Sequence, residues 1–166
     1  MSATSASSST ASAFRSGPVA LLRRLVLLFN AGLDALQSPA QLLARLFVAK
    51  AFFLSGLTKI RDWETTVALF TDEYQVPWLS PEAAALMGTT GELLLPVLLV
   101  FGLGGRFAAL GLSVVNVVAV LSVADMPPAA FGQHVLWGTL LAGLAIWGPG
   151  RWSADAWIAT RWGRAE

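Results

Sequence analysis

The sequence predicts an all-α membrane protein, an antiparallel four-helix transmembrane bundle with an N-terminal interfacial amphipathic helix. Composition points there first. Of 166 residues, 55% are hydrophobic and only 13% charged, where soluble domains carry about 25% charged residues. Mean hydropathy is +0.64. Four apolar stretches, about 42–60, 83–103, 106–124 and 129–147, then match the ~20 residues a helix needs to cross the hydrocarbon core. Short Gly- and Pro-containing segments separate the last three, as helix–helix turns require.

Residues 1–17 are mostly Ser, Ala and Thr and read as a disordered tail. In 18–38, Arg23, Asn30, Asp34 and Gln37 form one narrow helical stripe, with leucines over the remainder. Such a helix lies in the interface with its apolar side in the acyl boundary. A signal peptide is the rival reading. It is disfavoured because the apolar run Leu25–Phe29 is too short, and Asn30 and Asp34 keep it from extending. Ser38-Pro39 is expected to turn the chain into the first span.

That span carries Arg45, Lys50 and Lys59. Arg45 and Lys59 stand near its ends, where long side chains snorkel to water, but Lys50 lies near the middle. Arg61–Glu82 is polar and lies outside. Asp62 is its candidate N-cap, and Trp63, Val67, Phe70 and Tyr74 trace a short helix on the bilayer surface, ended by Pro77. Ser80-Pro81-Glu82 opens the second span with a cap hydroxyl, a proline at the first position and an acid in the first turn. Gly102-Leu103-Gly104-Gly105 turns the chain into the third, and Asp125-Met126-Pro127-Pro128 into the fourth. Gly148-Pro149-Gly150 ends the bundle. Residues 151–166 form an interfacial tail with a short helix, Ser153–Trp162, studded with tryptophan.

Orientation is set by the basic residues of short loops. Arg15, Arg23, Arg24, Arg106, Arg151, Arg161 and Arg164 fall on one side, against Arg61 and the snorkelling Lys59 on the other, so both termini are expected in the cytoplasm and Arg61–Glu82 outside.

Lys50 and Glu92 each lie near the middle of an apolar stretch, so antiparallel neighbours would bring them to one depth. Intramembrane charges are costly and tend to mark functional pathways, which makes this the candidate charge pair. A structural ion pair holding two helices in register is the alternative. His134 reads either as an interfacial, hydrogen-bonded imidazole or as a donor to a quinone carbonyl. Trp137, inside its span, is a candidate wall for a flat ring, and Lys59 a candidate to orient a head group. Gly56, Gly91 and Gly102 are the candidate helix-packing residues, permitting close helix approach.

Several classes are excluded. Without cysteine there is no disulfide, iron–sulfur or thiolate zinc chemistry, and one histidine cannot supply two axial imidazoles. No metal site is expected. A net charge of +1 offers no field for nucleic acid. No P-loop, dinucleotide fingerprint or nucleophile motif occurs, so no catalytic residue is assigned.

Phe53-Leu54-Ser55-Gly56-Leu57-Thr58-Lys59, then Val76-Pro77 and Pro81, then Glu92 through Leu103 with Arg106, resemble the DoxX family of small membrane proteins. Gly56 with Lys59, and Glu92 with Gly102 and the basic Arg106, carry the likeness, which covers about 42–150. Resemblance implies a four-span bundle in the cytoplasmic (inner) membrane. Some relatives are described as subunits of quinone-linked oxidoreductases and distant ones as assembly factors, so the fold is better indicated than the activity. The expected function is therefore a quinone- or quinol-interacting subunit with no covalently bound cofactor, its redox centre on a partner protein. A non-enzymatic membrane scaffold is the alternative. A small-solute permease is disfavoured, since four spans leave little room for a pore.

Overall fold

A computed structural model describes residues 18–74 and 76–162. The expected tail 1–17 and the end of 151–166, Arg164 included, lie outside the described residues. Among the described residues six helices run in order: α1 (Pro18–Arg61), α2 (Trp63–Asp72), α3 (Pro81–Phe101), α4 (Gly105–Ser122), α5 (Pro128–Trp147) and α6 (Ala154–Trp162). Among the described residues no strand forms. Helices α3, α4 and α5 are long and apolar enough to cross a membrane. They fall on the second, third and fourth expected spans.

Two compact units divide between Gln37 and Ser38. In the first, helix α1 leaves Leu22, Phe29 and Leu33 exposed. The expected turn at Ser38-Pro39 is not there: α1 is helical through Pro39. One missing N–H removes a single ladder bond, and strong helix formers flank it, Ala35-Leu36-Gln37 before and Ala40-Gln41-Leu42 after.

The second unit holds the core. Val48, Ala49 and Phe52 of α1 meet Leu99 of α3, Ala108, Ala109 and Leu112 of α4, and Leu141 and Leu144 of α5. On α3 the buried residues Ala85, Thr89, Glu92, Pro96 and Leu99 recur every three or four positions, so they form one stripe. Helix α4 buries Ala108, Ala109, Leu112 and Asn116 in the same way. Each stripe therefore carries one strongly polar side chain into the packing, Glu92 on α3 and Asn116 on α4. Small residues set the helix spacing. A Cβ on Gly56 would stand 2.9 Å from the Leu93 side chain and 3.1 Å from Glu92 Cβ, and one on Gly111 would stand 2.8 Å from Leu95.

One end of the unit is locked by polar contacts. Arg45 is not a snorkelling residue: it is fully buried. Its Nη1 donates to Val100 O at 3.3 Å and its Nη2 to Trp152 O. Val100 is in the last turn of α3, where carbonyls lack helical partners, and a guanidinium fork can reach two such acceptors at once. Asp155 of α6 accepts from Gly104 N and Gly105 N, both at 2.8 Å, and so supplies the cap that the N-terminus of α4 lacks locally. Gly102 ends α3 at φ 64°, beside Arg45 and Ser153, where any side chain would collide. Its role is that turn, more than packing between helix faces.

Enlarging Gly56 to Leu should separate α1 from α3 and cost about 1–3 kcal/mol, as overpacking does. Gly132→Ala, where an added Cβ meets nothing within 4 Å, should be neutral or gain up to about 1 kcal/mol of helix propensity. Denaturant titration of the two variants in detergent micelles measures the contrast.

Candidate functional site

A cavity of about 330 Å³ opens at the end of the second unit opposite the Arg45 lock. Its polar residues are Ser55 and Lys59 of α1, Glu92 of α3, Ser122 of α4, His134 of α5, and Tyr74 from the segment after α2. Phe70, Met87, Val114 and Val118 form apolar walls.

Lys59 Nζ donates to Glu92 Oε2 at 2.6 Å and to Ser55 Oγ at 2.9 Å. Glu92 lies midway along α3 and buries all but 9% of its side chain, while Lys59 keeps 19% exposed. The partner of Glu92 is thus Lys59, and the expected pairing with Lys50 does not form. Nine residues separate the two lysines, two and a half turns at about 3.6 residues per turn, so they point to opposite sides of α1. Gly56 is level with Glu92. Helical side chains lean toward the N-terminus, and Lys59 reaches back one turn to that level. Lys50 is exposed on the far face, among the exposed Leu43, Leu46, Phe47 and Leu54.

Helix α2 closes the site from above. Asp62 accepts from Thr65 N at 3.0 Å, and Thr66 Oγ1 donates to Lys59 O at 2.9 Å, which ties α2 to the end of α1. Hydrogen bonds from the Thr65 backbone and hydroxyl hold the Asp62 carboxyl below its usual range. The helix ends at Asp72, five residues before Pro77, and Phe70 and Tyr74 meet edge to face at 5.0 Å. Burial, then the charges of Glu73 and Glu92, push the Tyr74 phenol above its ordinary range. At neutral pH it is an uncharged O–H.

His134 is held by Asn116. Its Nδ1 lies 2.8 Å from Asn116 Oδ1, and Asn116 Nδ2 donates to the His134 carbonyl at 3.0 Å. Trp137 does not line the cavity. It meets the His134 ring edge to face at 5.0 Å and Phe52 at 5.6 Å, so it packs behind the histidine. Gly91 lies on the α4 side of α3, where a Cβ would stand 3.2 Å from Val115. Arg106 is exposed at the first turn of α4, far from the cavity end. Among the described residues no three carboxylate or imidazole groups converge as a metal site.

Asn116, Tyr74 and Phe70 are not among the candidate site residues of the sequence, where Phe70 and Tyr74 mark only the face of a surface helix. Asn116 did carry a signal, since an amide inside an apolar helix must find partners for its oxygen and its nitrogen.

The architecture can be set beside known families. Residues 40–125 match DoxX. This chain belongs to the DoxX family. The match takes in the second half of α1, α2, α3 and α4, hence Lys59, Phe70, Tyr74, Glu92 and Asn116 but not His134. With its apolar helices, the chain is a DoxX family membrane protein. Neither the curated proteins nor the solved structures yield a match.

Removing one member of the Lys59–Glu92 pair should cost about 2–3 kcal/mol, below the ~3–5 kcal/mol of a fully enclosed pair because Lys59 is partly solvated. Lys59→Met combined with Glu92→Leu should recover most of that loss, since neither charge is then stranded. Lys50→Met should leave stability within about 0.5 kcal/mol. A double-mutant cycle by denaturant titration tests all three expectations.

Proposed function

We propose that this chain is a four-span protein of the cytoplasmic membrane that binds a quinone or quinol in the Lys59–Glu92 cavity. The second half of α1 is the first span, beside α3, α4 and α5, and both termini are cytoplasmic. The observation that carries the reading is the cavity itself: a charged pair, a neutral phenol and an imidazole border a space walled by Phe70, Met87 and valines. Binding sites for flat apolar rings have this make-up, mostly apolar with a few placed polar groups. Lys59 and Tyr74 would face one ring oxygen and His134 another, and Phe70 would cover the ring. When bound, the quinone supplies two-electron, two-proton chemistry. The chain's own residues position it and exchange hydrogen bonds at its oxygens.

Electrons then come from a partner, because a chain without cysteine and with one histidine provides no redox centre of its own. Lys50 supports a membrane partner. An exposed ammonium midway along an apolar helix face finds no carboxylate among the described residues, so a neighbouring subunit or lipid must answer it.

The test is co-purification in mild detergent. Quinone should accompany the wild type and Lys50→Met, and be lost from Glu92→Gln and Lys59→Met while both still fold. A wild type free of quinone, with all variants folded, leaves the pair structural and puts the scaffold reading first.

A further inference from the structure

The Asn116–His134 contact fixes more than the position of a ring. A backbone carbonyl only accepts hydrogen bonds, so the Asn116 atom facing His134 O must be the amide nitrogen. The other amide atom, facing Nδ1, is therefore the oxygen, which also only accepts. Nδ1 must then carry the proton. In the neutral ring this leaves Nε2 as a lone-pair acceptor, and among the described residues it has no partner. The side chain lines the cavity, and Nε2 is not among the enclosed polar atoms lacking a partner. The amide has little freedom to turn. Asn116 is 95% buried, and Gly138 lies against it so closely that a Cβ there would stand 3.2 Å from Nδ2.

We infer that Asn116 is a positioning residue that holds neutral His134 as an acceptor, so that the cavity selects the hydroquinone over the quinone. The inference rests on the quinone reading for its ligand, though not for its tautomer. A quinone oxygen offers only lone pairs and would meet the lone pair of Nε2. A quinol offers an O–H there, while its second oxygen remains able to accept from Lys59 or Tyr74 across the cavity. Hydrogen-bonding sites of this kind reject the mismatched partner because their own polar group is left unpaired. This selection reverses one of the two sequence readings of His134, that in which it donates to a quinone carbonyl.

His134 is the only histidine in the chain, which makes the tautomer directly readable. The full chain, carried on a histidine-free tag and labelled with ¹⁵N-histidine, is measured by NMR at about pH 8, above the ordinary imidazole range near 6.5. The wild type should show a protonated Nδ1 and an unprotonated Nε2. Asn116→Leu should shift the ring toward the Nε2–H form. A wild-type ring protonated at Nε2 overturns the inference with no ligand needed and whether or not the variant folds. Binding is then measured anaerobically with decyl-benzoquinone and its quinol. The wild type should prefer the quinol about tenfold, which is about 1.4 kcal/mol, and Asn116→Leu should abolish the preference while still binding the quinone. Equal binding of both rings by the wild type overturns the selectivity alone. Binding of neither overturns the selectivity and the quinone reading beneath it, whatever the tautomer.

Discussion

A carboxylate midway along an apolar helix is the constraint on which the rest of the bundle depends. Taking an ionised group out of water costs several kcal/mol even after relaxation, so Glu92 must be answered by a cation or remain near water. The fold does both. Lys59 meets it at 2.6 Å, and the same pair borders a cavity. That arrangement needs α1 close enough to α3 for the ammonium to reach, which Gly56 permits by having no Cβ to meet Leu93. It also needs α1 to end near Lys59, so that α2 can fold over the pair with Thr66 bonded to the Lys59 carbonyl. One buried charge thereby sets a helix spacing, a helix end and the placement of a short helix.

The opposite end of the unit obeys a different economy. There the buried cation is answered by main-chain carbonyls and a carboxylate is answered by main-chain N–H groups. Arg45 closes the C-terminus of α3, and Asp155 closes the N-terminus of α4 across the glycine turn. Orphan groups at helix ends are good partners for such charges, because the helix dipole favours a cation at one end and an anion at the other. The charges of Arg45 and Asp155 are used up in joining α1, α3, α4 and α6. At the cavity end, His134 Nε2 keeps unspent hydrogen-bonding capacity.

Much of the fold was legible because its signals are local. Apolar run length, Ser80-Pro81-Glu82 and Gly102–Gly105 locate α3 and α4 from adjacent residues alone. Depth was legible too, in that Glu92 needed a cation from the preceding helix. Which cation was not. Lys50 and Lys59 differ in facing, and facing depends on the register of α1 against α3, a relation between residues over thirty positions apart. Arg45 misled for the same reason, since its acceptors at Val100 and Trp152 belong to segments that only the folded chain brings together. At Ser38-Pro39 the local signal was present and lost to its context, for proline costs a helix one bond and the flanking residues restore the rest.

The two strongly polar side chains that enter the core stripes, Glu92 and Asn116, differ in what they leave exposed to the cavity. Glu92 with Lys59 presents an ion pair whose ammonium has spent two of its three protons, on Glu92 and Ser55. Asn116 spends both amide groups on a single residue and passes the consequence to His134 as a defined tautomer. A merely structural asparagine could satisfy itself against backbone alone. Using its oxygen on an imidazole at a cavity wall is what gives the amide an effect beyond stability. Polarity thus differs across the cavity, donor-rich at Lys59 and Tyr74 and acceptor at His134, and a ligand whose oxygens can either donate or accept matches that asymmetry better than one whose oxygens only accept.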